Sequence, residues 1–201
     1  MIRLSGSPAL RADAARNRDA VLWAATRAFA TAEVEPSMRA IAREAGVGIA
    51  TLYRHFPTRE SLVDAVYRDQ VERLTQGAGE LLSRYAPAEA LRRWMDLFGD
   101  WLVTKHGMVE TLREMIDAGA IAHLQTRDEL LAAVSTMLDA GRATGDLRGD
   151  IRADDVAAAL IGVFTVAGSS ARDGQGARLL DLLMDGLRTP AARAVAPSAT
   201  D

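Results

Sequence analysis

The chain has 201 residues, 49% of them apolar, a formal net charge of −3 and no cysteine. That length carries a real core in one or two domains, and the missing thiols exclude disulfides, thiolate metal sites and a thiol nucleophile. No apolar run approaches the roughly 18 residues that a bilayer crossing needs, and the N-terminus lacks the apolar block of a secretion signal, so a cytoplasmic location with no membrane partner is expected.

Charge is uneven along the chain. Residues 1–70 hold 10 Arg against 8 acids, a net of +2, while residues 71–201 hold 14 basic residues against 19 acids, a net of −5. The basic third permits a polyanionic partner. His55, His106 and His123 are not spaced as a ligand cluster, and no Gly-x-Ser-x-Gly elbow occurs. No metal, cofactor, catalytic residue or enzymatic activity is expected.

Helical periodicity recurs almost everywhere, and strand-like alternation does not. Residues 1–12 and 189–201, rich in Ala, Pro and Ser, read as disordered tails. A first helix is expected from about Ala15 to Ala32, with Val21, Ala24, Ala25, Ala28 and Phe29 on one face. Trp23 stands off that face and is expected to pack against the C-terminal domain or else to sit half exposed. Ser37 is placed to cap a short helix running to about Ala45, and a second short helix covers about Gly48–His55. Pro57 breaks it, and Thr58 caps a long helix to about Arg84. Pro87 suits the first turn of the next, which carries Leu91, Trp94, Met95, Phe98 and Trp101. Another follows Gly107, and the remaining three cover about 124–143, 153–168 and 175–188. The "GSSARDGQG" between the last two reads as a flexible loop. The expected fold is all-α, with about nine helices.

The stretch "IAREAGVGIATLYRHF" (residues 41–56) has the features of a helix-turn-helix at about residues 38–57. Gly46 suits the positive φ of a tight turn, Ala42 is small where the second helix crosses, and Ile41, Val47 and Leu52 form an apolar plug. Ile49, Ala50, Thr51, Tyr53 and Arg54 then face outward, as on a helix laid in a major groove.

These residues resemble the N-terminal DNA-binding domain of the tetracycline-repressor (TetR) family of bacterial regulators. The features that carry the resemblance are Ala24, Ala25 and Phe29, then Arg39-x-Ile41-Ala42-x-x-Ala45-Gly46-Val47. Thr51-Leu52-Tyr53-x-His55-Phe56 and Arg59-Glu60-x-Leu62 complete it. The resemblance covers residues 18–65, about a quarter of the chain, and the ordered set is highly specific. Three positions depart from the usual pattern. Gly48 replaces a Ser and so lacks a capping or phosphate-binding hydroxyl, Ala50 replaces a Gly, and Arg59 replaces a Lys.

Ser37 and Arg39 on one flank, and Thr58 and Arg59 on the other, are expected to meet phosphates. Thr51 and Tyr53 offer apolar surface to a thymine methyl and hydroxyls to backbone oxygen. Arg54 forks onto guanine, anchors a phosphate or stays solvated, and His55 resembles the family histidine that meets phosphate; the competing reading has Tyr53 and His55 closing the small domain's core. The expected domains are a helix-turn-helix domain over 13–60 and a ligand-binding and dimerisation domain over 61–188.

One helix-turn-helix reads few base pairs, so a homodimer spanning two half-sites is expected. The last two helices supply candidates for its interface in Val156, Leu160, Val163, Phe164, Leu179, Leu182, Leu183 and Leu187. In the resembled family such pairs form an intermolecular four-helix bundle. The resemblance also implies an effector pocket in the middle helices, with Trp94, Met95, Phe98, Trp101, Met108, Met115, His123 and Met137 as candidate lining. Asp96, Asp100 and His123 are candidate polar anchors, and ordinary core packing is the competing reading for the apolar set. The implied function is a repressor of a palindromic double-stranded DNA operator, released by an unidentified, partly apolar small molecule. The alternative is a DNA-tethered interaction protein with no small-molecule ligand.

Overall fold

The computed structural model describes residues 8–32, 34–119, 123–167 and 174–195. They form ten helices: α1 (Pro8–Thr31), α2 (Met38–Glu44), α3 (Ile49–His55), α4 (Arg59–Arg84), α5 (Pro87–His106), α6 (Val109–Asp117), α7 (His123–Thr144), α8 (Ala153–Ala167), α9 (Gln175–Leu187) and α10 (Pro190–Val195). The described residues contain no strand, only an isolated antiparallel bridge between Leu147 and Arg188. None of the helices is long and apolar enough to cross a membrane. The fold is all-α, as expected. The tails expected to be disordered are partly helical, since α1 starts at Pro8 and Pro190–Val195 forms α10. Proline fits the first turn of both, where its missing N–H leaves no bond unmade. Most of the loop expected between α8 and α9 lies outside the described residues.

The chain divides into two compact units, one of residues 1–69 with 103–121, the other of 70–102 with 122–201. The sequence places the domain boundary at residue 60 and assigns 103–121 to the second domain. In the structure the start of α4 and all of α6 belong to the first unit.

In that unit α1 buries Val21, Ala24, Ala25 and Phe29, one stripe at helical spacing. It packs on Met38, Ile41 and Ala42 of α2, Leu52 of α3, and Phe56 just beyond. Leu62, Val63, Val66 and Tyr67 of α4 are also buried, as are Met108, Thr111, Leu112 and Met115 around α6. Helices α2 and α3 have 7 residues each. Isolated helices of that length do not persist in water, so this burial is what holds them.

In the second unit the aromatic stripe of α5 lies inside. Trp94 and Phe98 stack at 5.6 Å between centroids, Phe98 meets Trp101 at 5.3 Å and Phe164 of α8 at 6.4 Å. The indole Nε1 of Trp94 donates to the Leu74 carbonyl at 2.8 Å, which satisfies its polar edge without water. Leu130, Val134, Met137 and Leu138 of α7 are buried too. After α7, Gly145 takes φ 79° and the chain folds back. Arg148 then donates its N–H to Leu187 at 2.9 Å, and Thr189 donates to Asp146 at 3.1 Å. These bonds tie the start of the α7–α8 connection to the end of α9.

Candidate nucleic-acid interface

The turn between α2 and α3 is closed by two backbone bonds, Val47 N–H to the Ala42 carbonyl at 3.0 Å and Gly46 N–H to Arg43 at 3.2 Å. With Gly46 at φ 68° this is a Schellman closure, which an L-residue bearing a Cβ would strain. At the entry of α2, Ser37 Oγ accepts from Ala40 N–H at 3.2 Å. At the entry of α3, Gly48 gives no side-chain cap.

Helix α3 is held by one buried side chain and turns others toward solvent. Leu52 is fully buried and fixes the helix roll, leaving Ala50, Tyr53 and Arg54 exposed and Ile49, Thr51 and His55 partly covered. Tyr53 is 46% exposed, so its ring is no part of the core. The His55 ring lies tilted against Phe56 with centroids 6.4 Å apart. Arg39 is exposed on α2.

Thr58 caps α4 reciprocally with Ser61. Ser61 N–H donates to Thr58 Oγ1 and Thr58 N–H to Ser61 Oγ, both at 3.1 Å. Beside it, Glu60 holds its carboxyl below the usual carboxylate range, chiefly through a bond from its own backbone N–H, helped by Thr58. An ionised acid therefore stands at this corner.

The Arg59 guanidinium is engaged by neighbours of its own unit. It is turned onto Glu35, with Nη2 at 2.8 Å and Nε at 3.2 Å from Oε2. Nη1 donates to the Pro36 carbonyl at 2.7 Å, and Nε also reaches Thr111 Oγ1 at 3.2 Å. The Thr111 hydroxyl donates to the same Glu35 oxygen at 3.1 Å. The sequence gives no sign of Glu35 and Thr111 as site residues, because partners 24 and 52 residues from Arg59 leave no local signal. Trp23 is half-exposed, at 56%, and the Arg27 guanidinium lies 4.6 Å from its ring centroid.

Of the expected pocket residues, Trp94, Met95, Phe98, Trp101 and Met137 are buried together in the second unit, while Met108 and Met115 are buried in the first. The His123 side chain lies outside the described residues. Asp96 pairs with Arg92 at 2.7 Å, and the same Arg92 reaches Asp181 of α9 at 2.8 Å. Partial desolvation, with Asp96 nearby, raises the Asp100 carboxyl above its ordinary range, although the residue keeps an exposed surface. Among the described residues no group of three or more His, Asp or Glu is arranged to hold a metal ion.

The expected interface set divides. Val156, Leu160 and Leu187 are buried in the chain's own core. Val163, Phe164, Leu179 and Leu183 are half-covered, and only Leu182, at 67%, stands clear. Ile161 at 53% and Val166 at 74% are the exposed large apolar residues of α8. A helix this apolar carries an inward and an outward stripe, and periodicity alone does not say which is which.

Two family models match the chain. One, described as "Bacterial regulatory proteins, tetR family", covers residues 21–66. The other, "Transcriptional regulator SbtR-like, C-terminal domain", covers residues 86–189, just over half the chain. The structure is similar to a TetR transcriptional regulator from Streptomyces coelicolor, with 43% identity, a TM-score of 0.77, and coverage of 86% of this chain and 99% of that one. It is also similar to a TetR transcription regulatory protein from Mycobacterium vanbaalenii, with 33% identity, a TM-score of 0.71 and coverage of 90% and 99%. A curated relative from Mycobacterium tuberculosis, an HTH-type transcriptional repressor, is 34% identical over 124 residues, 61% of this chain. That match spans only 57% of the relative's own length. With family models matching its N-terminal segment and just over half of the chain beyond it, the chain belongs to the tetR family of bacterial regulatory proteins, a family of transcriptional regulators and not of enzymes.

Proposed function

We propose that the chain is a homodimeric repressor that reads a palindromic operator through α3 and releases it when a small molecule binds the second unit. One observation carries this reading. Leu52 is wholly buried while Tyr53 and Arg54 beside it are exposed, on a short helix held at a fixed angle by the Gly46 closure. A face so polar, so short and so rigidly held suits base edges and phosphates.

A second copy would dock on the exposed apolar side chains of Ile161, Val166 and Leu182, with Gly162 allowing close approach. The two recognition helices would then meet successive major grooves, about 34–36 Å apart. The buried Trp94, Phe98 and Trp101 favour a partly apolar effector in the second unit. Helix α4, which supplies residues to both units, is the candidate lever. Moving the balance between binding and non-binding forms from 1:99 to 99:1 takes about 5.5 kcal/mol of differential effector affinity.

Selection of bound duplexes from random DNA, followed by anisotropy titration, tests the reading. A palindromic consensus bound by two chains is expected. A monomer that binds no duplex at low salt defeats it. A thermal-shift screen tests the effector, and operator affinity unchanged by every stabilising compound would remove that part of the proposal.

A further inference from the structure

Arg59 sits where the DNA-reading proposal expects a phosphate contact, and its surroundings leave little for a phosphate. The Nε–Nη2 edge, the fork with which arginine grips an oxyanion, holds Glu35 Oε2. Nη1 lies on the Pro36 carbonyl at 2.7 Å. Glu35 also cancels the charge that would draw a phosphate in, and the ionised Glu60 is the next residue along. The other Glu35 oxygen, Oε1, is buried without a hydrogen-bond partner, so the carboxylate depends on Arg59 for its compensation.

We propose that Arg59, Glu35 and Thr111 form a positioning triad that sets how α2 and α3 approach the duplex, and that Arg59 is not a phosphate ligand. The inference rests on the DNA-reading function proposed above. Its mechanical logic follows from chain order. Glu35 and Pro36 lead directly into Ser37, the cap of α2. Holding them against the first residue of α4 and against Thr111 of α6 fixes where α2 begins. The Gly46 closure then carries that placement to α3. A lysine here would keep the charge but lose the planar fork that grips Glu35 through Nε and Nη2 while Nη1 reaches the Pro36 carbonyl.

The test is anisotropy titration of the full chain against two duplexes of equal length, one selected from random DNA and one scrambled, over a range of salt. A positioning role predicts that R59K and E35Q each weaken binding to the selected duplex about tenfold while leaving scrambled-duplex affinity and the salt slope unchanged. T111V moves the same way, and T111S restores what T111V loses. R39Q, at an exposed cation, should weaken both duplexes and flatten the slope by about 0.9. If the triad were merely structural, melting temperature would fall and the ratio of the two affinities, measured well below melting, would hold. That outcome overturns the proposal. So does R59K binding like the parent chain, or R59Q weakening both duplexes together with a flatter slope. A parent chain that binds neither duplex, or both alike, overturns the regulator reading itself and this inference with it.

Discussion

Gly107 backs directly onto Phe29, so closely that a Cβ at Gly107 would overlap the Phe29 carbonyl oxygen and come within 3.0 Å of its Cα. The contact is with backbone, which cannot rotate away. Gly107→Ala should therefore destabilise the chain by about 2–3 kcal/mol, the cost of overpacking a rigid site. Gly79→Ala is the matched opposite. Gly79 is exposed within α4 and an added methyl would meet nothing within 4 Å, so the change should stabilise by about 0.5–1 kcal/mol. Urea midpoints at unchanged slope check both.

Arg54 is exposed on the outer face of α3. If it forks onto guanine, Arg54→Ala should cost about 1–3 kcal/mol and relax preference at one base pair per half-site. If it anchors a phosphate, the loss is uniform across sequences. Binding measured against a set of single-substituted duplexes separates these outcomes.

Ile161 and Leu160 give a contrast between neighbours on one helix. Ile161→Glu, or Leu182→Glu on α9, should leave the helical signal intact and convert a dimer to a monomer in sedimentation velocity. Leu160→Ala, at a fully buried position, should cost the folded chain itself about 2–5 kcal/mol.

Asp100 and Asp96 stand four residues apart on α5, and partial desolvation with that neighbouring charge raises the Asp100 carboxyl. A raised acid favours the folded state where it is protonated in both states, and that contribution is lost as pH rises through the folded-state value. Asp100→Asn should accordingly gain a few tenths of a kcal/mol at neutral pH, in keeping with relief of a like-charge pair. The gain should fade as pH drops below the unfolded Asp value, about 3.9. Denaturant titrations at several pH values check it.

What is legible in the sequence is what local chemistry encodes. Gly46 with the small Ala42, the Ser37 and Thr58 caps, and the roll of α3 set by Leu52 all follow from near neighbours, and each is in place. The orientation of Arg59 depends on Glu35 and Thr111, which only the tertiary fold brings together. The inward stripe of α8 is indistinguishable from its outer one in sequence, because Val156, Leu160 and Ile161 are equally apolar and composition offers no contrast to read. Pro8 and Pro190 sit among Ala- and Ser-rich neighbours that look disordered, which masks them as the first-turn residues they are.

The chain has three tryptophans, and they divide sharply in their surroundings. Trp94 and Trp101 are almost wholly enclosed, whereas Trp23 lies open to water on α1 beneath Arg27. Its emission should therefore be red-shifted and accessible to soluble quenchers while the other two stay blue and shielded. The molecule thus carries a natural fluorophore on the same helix that buttresses α2 and α3, and movement there can be followed optically without attaching a dye.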